Sequence, residues 1–414
     1  MTTTHHPAVF AIRVRGHLTA QWAARFTEMT VTLTPDGDTI FTGVVADQAA
    51  LYGLLRLVRD TGLELISVNQ VNNDQSEPSQ MEELTMQTTM KAVVYTEYGA
   101  PDVLRLQTVA VPTPKDNEVL VKVRATTVTT GDVNLRNFVF VPSGLRLISR
   151  LVFGFNKPKK TILGVEFAGD VVAVGQAVTR FKVGDAVFGL DGLRVGAYAE
   201  YKVIPESAGI VTKPAHLTYE EAAAFPNGAL TALTFLKQIA KVQPGQTVLI
   251  NGASGSVGSS AVQLAKAFGA EVTGVCSGRN ADFVRSLGAD HVIDYTREDF
   301  TRNGKTYDII FDTVGRTRLA QCKASLTPNG LYLAVAGGLG EMLQALVTAL
   351  FGRKKVKAGV SSERHEDLAY LKDLLEAGQI KPVVDRCYPL ADMVEAHRYV
   401  DTGRKRGSVV ITVA

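Results

Sequence analysis

Cysteine is scarce in this chain of 414 residues: only Cys276, Cys322 and Cys387 occur, far apart and odd in number. Such a set builds no disulfide framework and fits free, buried thiols in a reducing compartment. An excess of charge of one sign is also missing, because 44 Lys and Arg against 41 Asp and Glu leave a net charge of +3. That is too small for a protein held by phosphate contacts, so nucleic acid is not an expected partner. No apolar run approaches the length of a membrane span, and the first residues lack the basic-then-apolar pattern of a secretory signal. A cytoplasmic protein is expected. What is present is 46% hydrophobic and 21% charged residues, an ordinary globular balance, in a chain long enough for two or three cores.

The most informative stretch lies in the second half. Val248-Leu249-Ile250-Asn251 is β-type, Gly252-Ala253-Ser254-Gly255-Ser256-Val257-Gly258 is a glycine-rich turn, and Ala261 to Lys266 is apolar at helical spacing. Strand, tight turn and helix start is the order a dinucleotide site requires. Glycines let the backbone approach a pyrophosphate, and the helix start offers unpaired N–H groups and a positive dipole end. The next strand, Glu271 to Cys276, ends in Ser277-Gly278-Arg279-Asn280. Sites for NAD usually place a carboxylate here for the ribose hydroxyls. A small hydroxyl and a guanidinium suit a 2′-phosphate instead, which arginine can pair through two bonds. The plain alternative is that Arg279 is a solvated loop residue. NADP(H) is the expected cofactor, with Tyr295, Val314 and Gly315 as further contacts.

Composition along the chain suggests a fusion. Residues 73–89 are polar and turn-rich, like a linker, and Met90-Lys91-Ala92-Val93-Val94-Tyr95 reads as a fresh beginning. Before the linker, residues 1–72 show strand candidates at Ala8–Val14, Met29–Leu33, Thr39–Val45 and Leu63–Val68, with helical spacing at Ala20–Phe26 and Gln48–Arg59. The order β-α-β-β-α-β predicts a small ferredoxin-like α+β module. His5, His6 and His17 are its only tempting ligands, and they have no metal-ligand spacing. The module resembles small stand-alone bacterial proteins of unassigned function and reads as a regulatory or interaction domain. From Met90 to about Pro205 the chain is strand-rich. From about Leu217 to Gly338 helices alternate with short apolar strands, the signature of a parallel sheet. The strongly β-type end, Ser408 to Val413, is expected to return to the first of these two domains.

Nearly everything from Met90 onward resembles the medium-chain dehydrogenase/reductases, and specifically their zinc-free quinone oxidoreductase branch. The residues that carry the likeness are Lys91-Ala92-Val93, Tyr98-Gly99, Gly164-Val165-Glu166-Phe167-Ala168-Gly169, Lys182-Val183-Gly184-Asp185-Ala186-Val187 and Ala223-Ala224-Phe225-Pro226. The glycine-rich turn, Leu287-Gly288-Ala289-Asp290, Ile293-Asp294-Tyr295 and Arg406-Gly407-Ser408-Val409-Val410 complete the set. The resemblance implies a GroES-like domain over 90–215, completed by 355–414, around a doubly wound Rossmann domain over 216–354, with the active site between them. It also implies a homodimer. Zinc-dependent members carry Gly-His-Glu where this chain has Gly164-Val165-Glu166, and a cysteine near Thr129. Valine cannot coordinate and a threonine hydroxyl is a poor zinc ligand, so no metal is expected, and three scattered cysteines cannot build the family's structural zinc lobe.

The resemblance places Thr129, Asp132 and Thr231 near the nicotinamide. Zinc-free relatives usually have asparagine where Thr129 stands. Asp132 has a structural alternative, bonding the loop backbone, and Thr231 could serve only as a helix-start hydroxyl. The expected activity is hydride transfer from NADPH to a small-molecule quinone or α,β-unsaturated carbonyl, acceptors electrophilic enough to react without a Lewis acid. The alternatives are a zinc-free alcohol or aldehyde oxidoreductase, and a non-catalytic NADPH-binding sensor acting through the N-terminal module. The apolar and basic segment 138–160 reads as a pocket lid in preference to a membrane-surface helix, and 343–355 poses the same choice.

Overall fold

The computed structural model describes residues 8–16, 29–34, 37–46, 48–60, 62, 64–71, 88–139, 150, 151, 153–155, 157–192, 194–335, 354–359 and 361–413. The chain divides into two compact units, Met1–Met86 and Gln87–Ala414.

In the first unit, β1 (Ala8–Arg15), β2 (Thr30–Leu33), β3 (Asp38–Val45) and β4 (Leu65–Val71) make one antiparallel sheet in the order β2-β3-β1-β4. Helix α1 (Gln48–Asp60) lies between β3 and β4 in the chain. Alternation along the strands turns Ile12, Val14 and Phe41 inward, where Leu51, Leu54, Leu55 and Val58 of α1 pack on them. This is the strand order of the ferredoxin-like sandwich. The helix expected over Ala20–Phe26 lies outside the described residues.

The second unit begins with a separate antiparallel ribbon, β5 (Thr89–Val94) with β6 (Arg105–Ala110). The GroES-like sheet follows: β7 (Glu118–Val128), β8 (Glu166–Val174), β9 (Ala186–Leu190), β10 (Tyr201–Pro205) and β11 (Gly209–Thr212). Helix α2 (Thr130–Asn137) leaves the end of β7, and α3 (Pro226–Leu233) leads towards the parallel domain. There β12 (Thr247–Asn251), β13 (Glu271–Cys276), β14 (His291–Asp294), β15 (Tyr307–Asp312), β16 (Leu326–Ala334) and β17 (Lys355–Ala358) run parallel in the order β14-β13-β12-β15-β16-β17. Val248, Leu249 and Ile250 of β12 are wholly buried, as an apolar run in a central parallel strand should be. Helix α4 (Ser256–Ala267) follows β12. The order reverses between β12 and β15, and a doubly wound sheet opens its ligand crevice at that point, beyond the strand C-termini.

The chain returns to the first sheet later than residue 355. Lys355–Ala358 is the sixth parallel strand, because its backbone finds a free edge on β16. After α5 (His365–Glu376), β18 (Val384–Pro389) and β19 (Ser408–Thr412), with α6 (Met393–Asp401) between them, complete the GroES-like sheet through the pairing of β19 with β7. One buried apolar cluster runs from Ala125, Phe188 and Leu190 of that sheet to Phe235, Val248 and Val262 on the other side, so the two sheets share a core. All three cysteines are free; Cys276 and Cys322 are buried as expected, but Cys387 is exposed on β18. Among the described residues no helix is long and apolar enough to cross a membrane.

Candidate functional site

The glycine-rich turn is built so that side chains would not fit. Gly252 has φ +86°, and a Cβ there would stand 2.6 Å from Thr313 Oγ1 and Val314 Cγ2. A Cβ on Gly258 would meet the Ala253 Cα at 2.8 Å, and one on Gly228 would meet the Ser256 carbonyl oxygen at 2.7 Å. Gly255 caps α4 without a side-chain bond, which leaves the first-turn N–H groups of Ser256 and Val257 to a ligand. This backbone-only cradle fits a pyrophosphate.

Strand register assembles the rest of the cofactor end. Parallel pairing sets Cys276 beside Asp294, so Ser277 and Tyr295 leave the sheet as neighbours, and Tyr295 N–H donates to Cys276 O at 3.1 Å. Arg279 is exposed with no ion-pair partner among the described residues, and Tyr295 is 63% exposed. One carboxylate here was not foreseen. Asp294 accepts from Thr296 N and Thr296 Oγ1 at 3.0 and 2.8 Å, and it stands close enough to Gly278 that a Cβ there would collide with it. The bonds from Thr296 hold its carboxyl below the usual carboxylate range. On the other flank, Val314 and Gly315 donate their N–H groups to the buried Asp312, which also receives Asn251, Thr317 and Tyr332. The β15 loop is thereby fixed over the turn. Ser254 accepts from Asn280 at 3.1 Å, its carbonyl takes the Gly407 N–H at 2.9 Å, and Ser256 bonds Ser408 at 2.9 Å. The first residues of β19 therefore pin the cradle from the GroES-like side.

The residues expected beside the nicotinamide are held by buried charge. Thr129 is the N-cap of α2: its hydroxyl accepts from Asp132 N at 3.0 Å while its own N–H donates to Asp132 Oδ2 at 2.9 Å, a reciprocal capping box, and the hydroxyl donates to the same Oδ2 at 2.6 Å. Asp132 is 1% exposed and also receives Gly164 N and the Tyr198 hydroxyl. Burial raises its carboxyl above the ordinary range despite those bonds. All of these bonds come from within the chain, which is the backbone-bonding role left open for Asp132. It organises Thr129. Thr231, on α3, is 6% exposed, and its hydroxyl donates to Asn227 O at 2.7 Å, one turn back in the helix. It keeps acceptor capacity alone.

Two features escaped the residue pattern. Arg136 is wholly buried and contacts Asp401 and His397 Nδ1, each at 2.8 Å. A guanidinium only donates, so Nδ1 accepts, and Nε2 carries the hydrogen to the Tyr198 oxygen at 3.2 Å. Tyr198 then donates to Asp132. Burial and the Arg136 charge pull His397 down to about 3, so it stays neutral. The second feature is Glu166, 1% exposed, which accepts from Asn227 N at 2.7 Å and from the Thr127 hydroxyl. Burial pushes its carboxyl up to about 7. Lys405 feels its charge and is pulled down to about 8, again by burial. Glu166 thus ties the start of β8 to the start of α3. Among the described residues no group of three or more His, Cys, Asp or Glu is gathered to hold a metal ion.

A GroES-like sheet sharing a core with a Rossmann sheet that carries a glycine-rich cradle defines a two-domain dehydrogenase or reductase. Family models agree: residues 115–215 match the alcohol dehydrogenase GroES-like domain, 287–411 match a zinc-binding dehydrogenase, and 9–69 match a domain of unknown function. The chain is 35% identical over 340 residues to the 2-methylene-furan-3-one reductase of Solanum lycopersicum, covering 79% of this chain and 80% of that protein. It is 32% identical over 334 residues to the chloroplastic NADPH-dependent alkenal/one oxidoreductase of Arabidopsis thaliana, covering 78% and 79%. A solved structure, the quinone oxidoreductase of Coxiella burnetii, superposes with a TM-score of 0.70 at 31% identity, over 79% of this chain and all of that one. The chain belongs to the medium-chain dehydrogenase/reductase superfamily, among its quinone-oxidoreductase-like members. It is therefore an oxidoreductase with a nicotinamide cofactor and a small-molecule substrate.

Proposed function

We propose that the protein reduces quinones or α,β-unsaturated carbonyl compounds with NADPH and without catalytic zinc. The observation that carries this reading is the pairing of the backbone cradle at Gly252–Gly258 with Ser277, Arg279 and Tyr295 at the adjoining strand ends. The cradle would hold the pyrophosphate, and the unpaired Arg279 would meet the 2′-phosphate. The names of the tomato and Arabidopsis relatives support the substrate class, and that of the Arabidopsis relative supports the choice of NADPH. When bound, the nicotinamide supplies the hydride. The residues of the chain bind, orient and manage protons.

Val165 occupies the position where zinc-dependent relatives carry a histidine ligand, and Thr129 is engaged as a helix cap. The acceptor's own conjugation then supplies the electrophilicity. Glu166 and Lys405 change charge near neutral pH, so the Glu166 carboxyl, touching the Thr127 hydroxyl, is the group that can hold a proton at this junction. Dimerisation along the β17 edge belongs to the same reading, and sedimentation tests it. The activity is tested by following NADPH and NADH oxidation with a panel of quinones, enones and aldehydes, alongside metal analysis. Turnover of quinones or enones with NADPH is expected. Stoichiometric zinc, or turnover confined to alcohols and aldehydes, would overturn the reading.

A further inference from the structure

The stretch of chain between α2 and β8 is one-sided in charge. No Asp or Glu stands between Asp132 and Glu166, whereas Arg146, Arg150, Lys157, Lys159 and Lys160 do, besides the buried Arg136. Over the whole chain the two signs nearly balance, 44 against 41. Among the described residues of this stretch, large apolar side chains face water. Val139 is 62% exposed, Leu151 64% and Phe155 53%. The lid expected over 138–160 would cover such side chains against its pocket; here they stand in solvent beside cations.

This exposure is built into the backbone. Gly154 is buried with φ +119°, and a Cβ there would collide with Lys157 O. Its N–H donates to Arg150 O at 2.9 Å. Phe153 O accepts the Lys159 N–H at 2.8 Å and the Tyr98 hydroxyl at 3.0 Å. Arg150 donates to Phe155 O, and its guanidinium lies 5.6 and 4.9 Å from the ring centroids of Tyr98 and Phe138. The turn at Gly154 is thus fastened to Tyr98 and to the end of α2, with Phe155 pointing away from both anchors into water. The cations stand around it. Lys159 Nζ reaches back to Leu151 O at 2.7 Å, and Lys157 and Lys160 are exposed with no carboxylate partner among the described residues.

We propose that this stretch docks the protein on an anionic lipid bilayer. Leu151 and Phe155 enter the boundary between headgroups and chains, and Lys157, Lys159 and Lys160 meet lipid phosphates. The charge complementarity selects the occupant, because an anionic bilayer offers negative charge and hydrocarbon side by side. It also needs no groove shaped to fit the two projecting side chains. A second copy of the chain would bring the same basic rim against this one, and like charges repel.

The test spins the full chain with vesicles of phosphatidylcholine, and with vesicles of phosphatidylcholine and phosphatidylglycerol in equal parts, at low and high salt. Co-sedimentation with the anionic vesicles alone, weakened by salt, is expected. Leu151→Ser with Phe155→Ser should lower the vesicle affinity by about 10-fold or more, and Lys157→Glu with Lys160→Glu by about 30-fold or more. Thermal unfolding checks the fold of both variants. No binding to either vesicle, equal binding to both, or binding that survives either pair of substitutions would overturn the inference. So would self-association without vesicles that Leu151→Ser with Phe155→Ser abolishes, since a second copy would then be the occupant. The assay needs neither cofactor nor acceptor, so each of these results leaves the reductase reading standing.

Discussion

The two ends of the cleft are held by different physics. At the cofactor end the work is done by backbone: Gly252 and Gly258 leave room, α4 offers uncapped N–H groups, and strand register brings Ser277 and Tyr295 together. Around the residues expected beside the nicotinamide it is done by buried ionisable groups: Asp132, Arg136 and Glu166 are each no more than 1% exposed. A backbone cradle binds any ligand of the right charge and shape, and it depends little on pH. A buried charge network fixes one geometry and makes stability depend on protonation. The cofactor end should therefore be sensitive to added volume, and the buried network to pH.

The largest effect expected is at His397. Its folded value, about 3, lies below the ordinary 6.5, so the unfolded chain takes up a proton that the folded protein refuses. Stability is present above pH 6.5 and is lost as pH falls towards 3, by on the order of 4 kcal/mol. His397→Gln keeps an acceptor and a donor but does not titrate, so urea unfolding across this window should show a flatter slope. Equal slopes would remove His397 from the account.

At the cofactor end, Gly258→Ala brings a methyl group against Ala253 and should weaken NADPH binding by about 100-fold, on the order of 3 kcal/mol. Fluorescence titration measures it, with thermal unfolding as the control for the fold. Unchanged affinity would mean that the turn is not the cradle.

Glu166 has the opposite sign to His397. Its carboxyl sits at about 7 against an ordinary 4.5, so its stabilising contribution is full below pH 4.5 and is lost as pH rises through 7. The stability of the unaltered protein relative to Glu166→Gln should fall by roughly 3 kcal/mol across that range. A constant difference between the two would show the carboxyl to be unperturbed. The smallest effect belongs to Arg279→Ala, which should weaken NADPH by about 10-fold and leave NADH unchanged. Unchanged affinity for both would assign Arg279 to the solvated loop, and equal losses would place it on a part that the two cofactors share.

What the sequence made legible follows the same division. Val248 to Gly258 could be read as strand, turn and helix because every residue that matters lies within a few positions of the next. Arg136 and His397 meet across 261 positions, and Asp191 meets Glu363 through a backbone N–H of its neighbour Gly192. No spacing rule connects them, since the fold alone sets their distance. Asp132 is the middle case: the residues left a cleft role and a backbone-bonding role both open, and its hydrogen bonds to Thr129 lie only three positions away. The domain boundary expected at 355 falls inside the parallel sheet, because a four-residue edge strand such as Lys355–Ala358 carries too little pattern to mark which sheet it joins.

The central claim is hydride transfer from NADPH to a conjugated acceptor, and isotope transfer tests it most directly. Incubating the full chain with NADPH deuterated at nicotinamide C4 and an enone should place one deuterium on the β-carbon of the product, from one face of the cofactor only. A product without deuterium at that carbon, or label appearing there only from deuterated water, would contradict it.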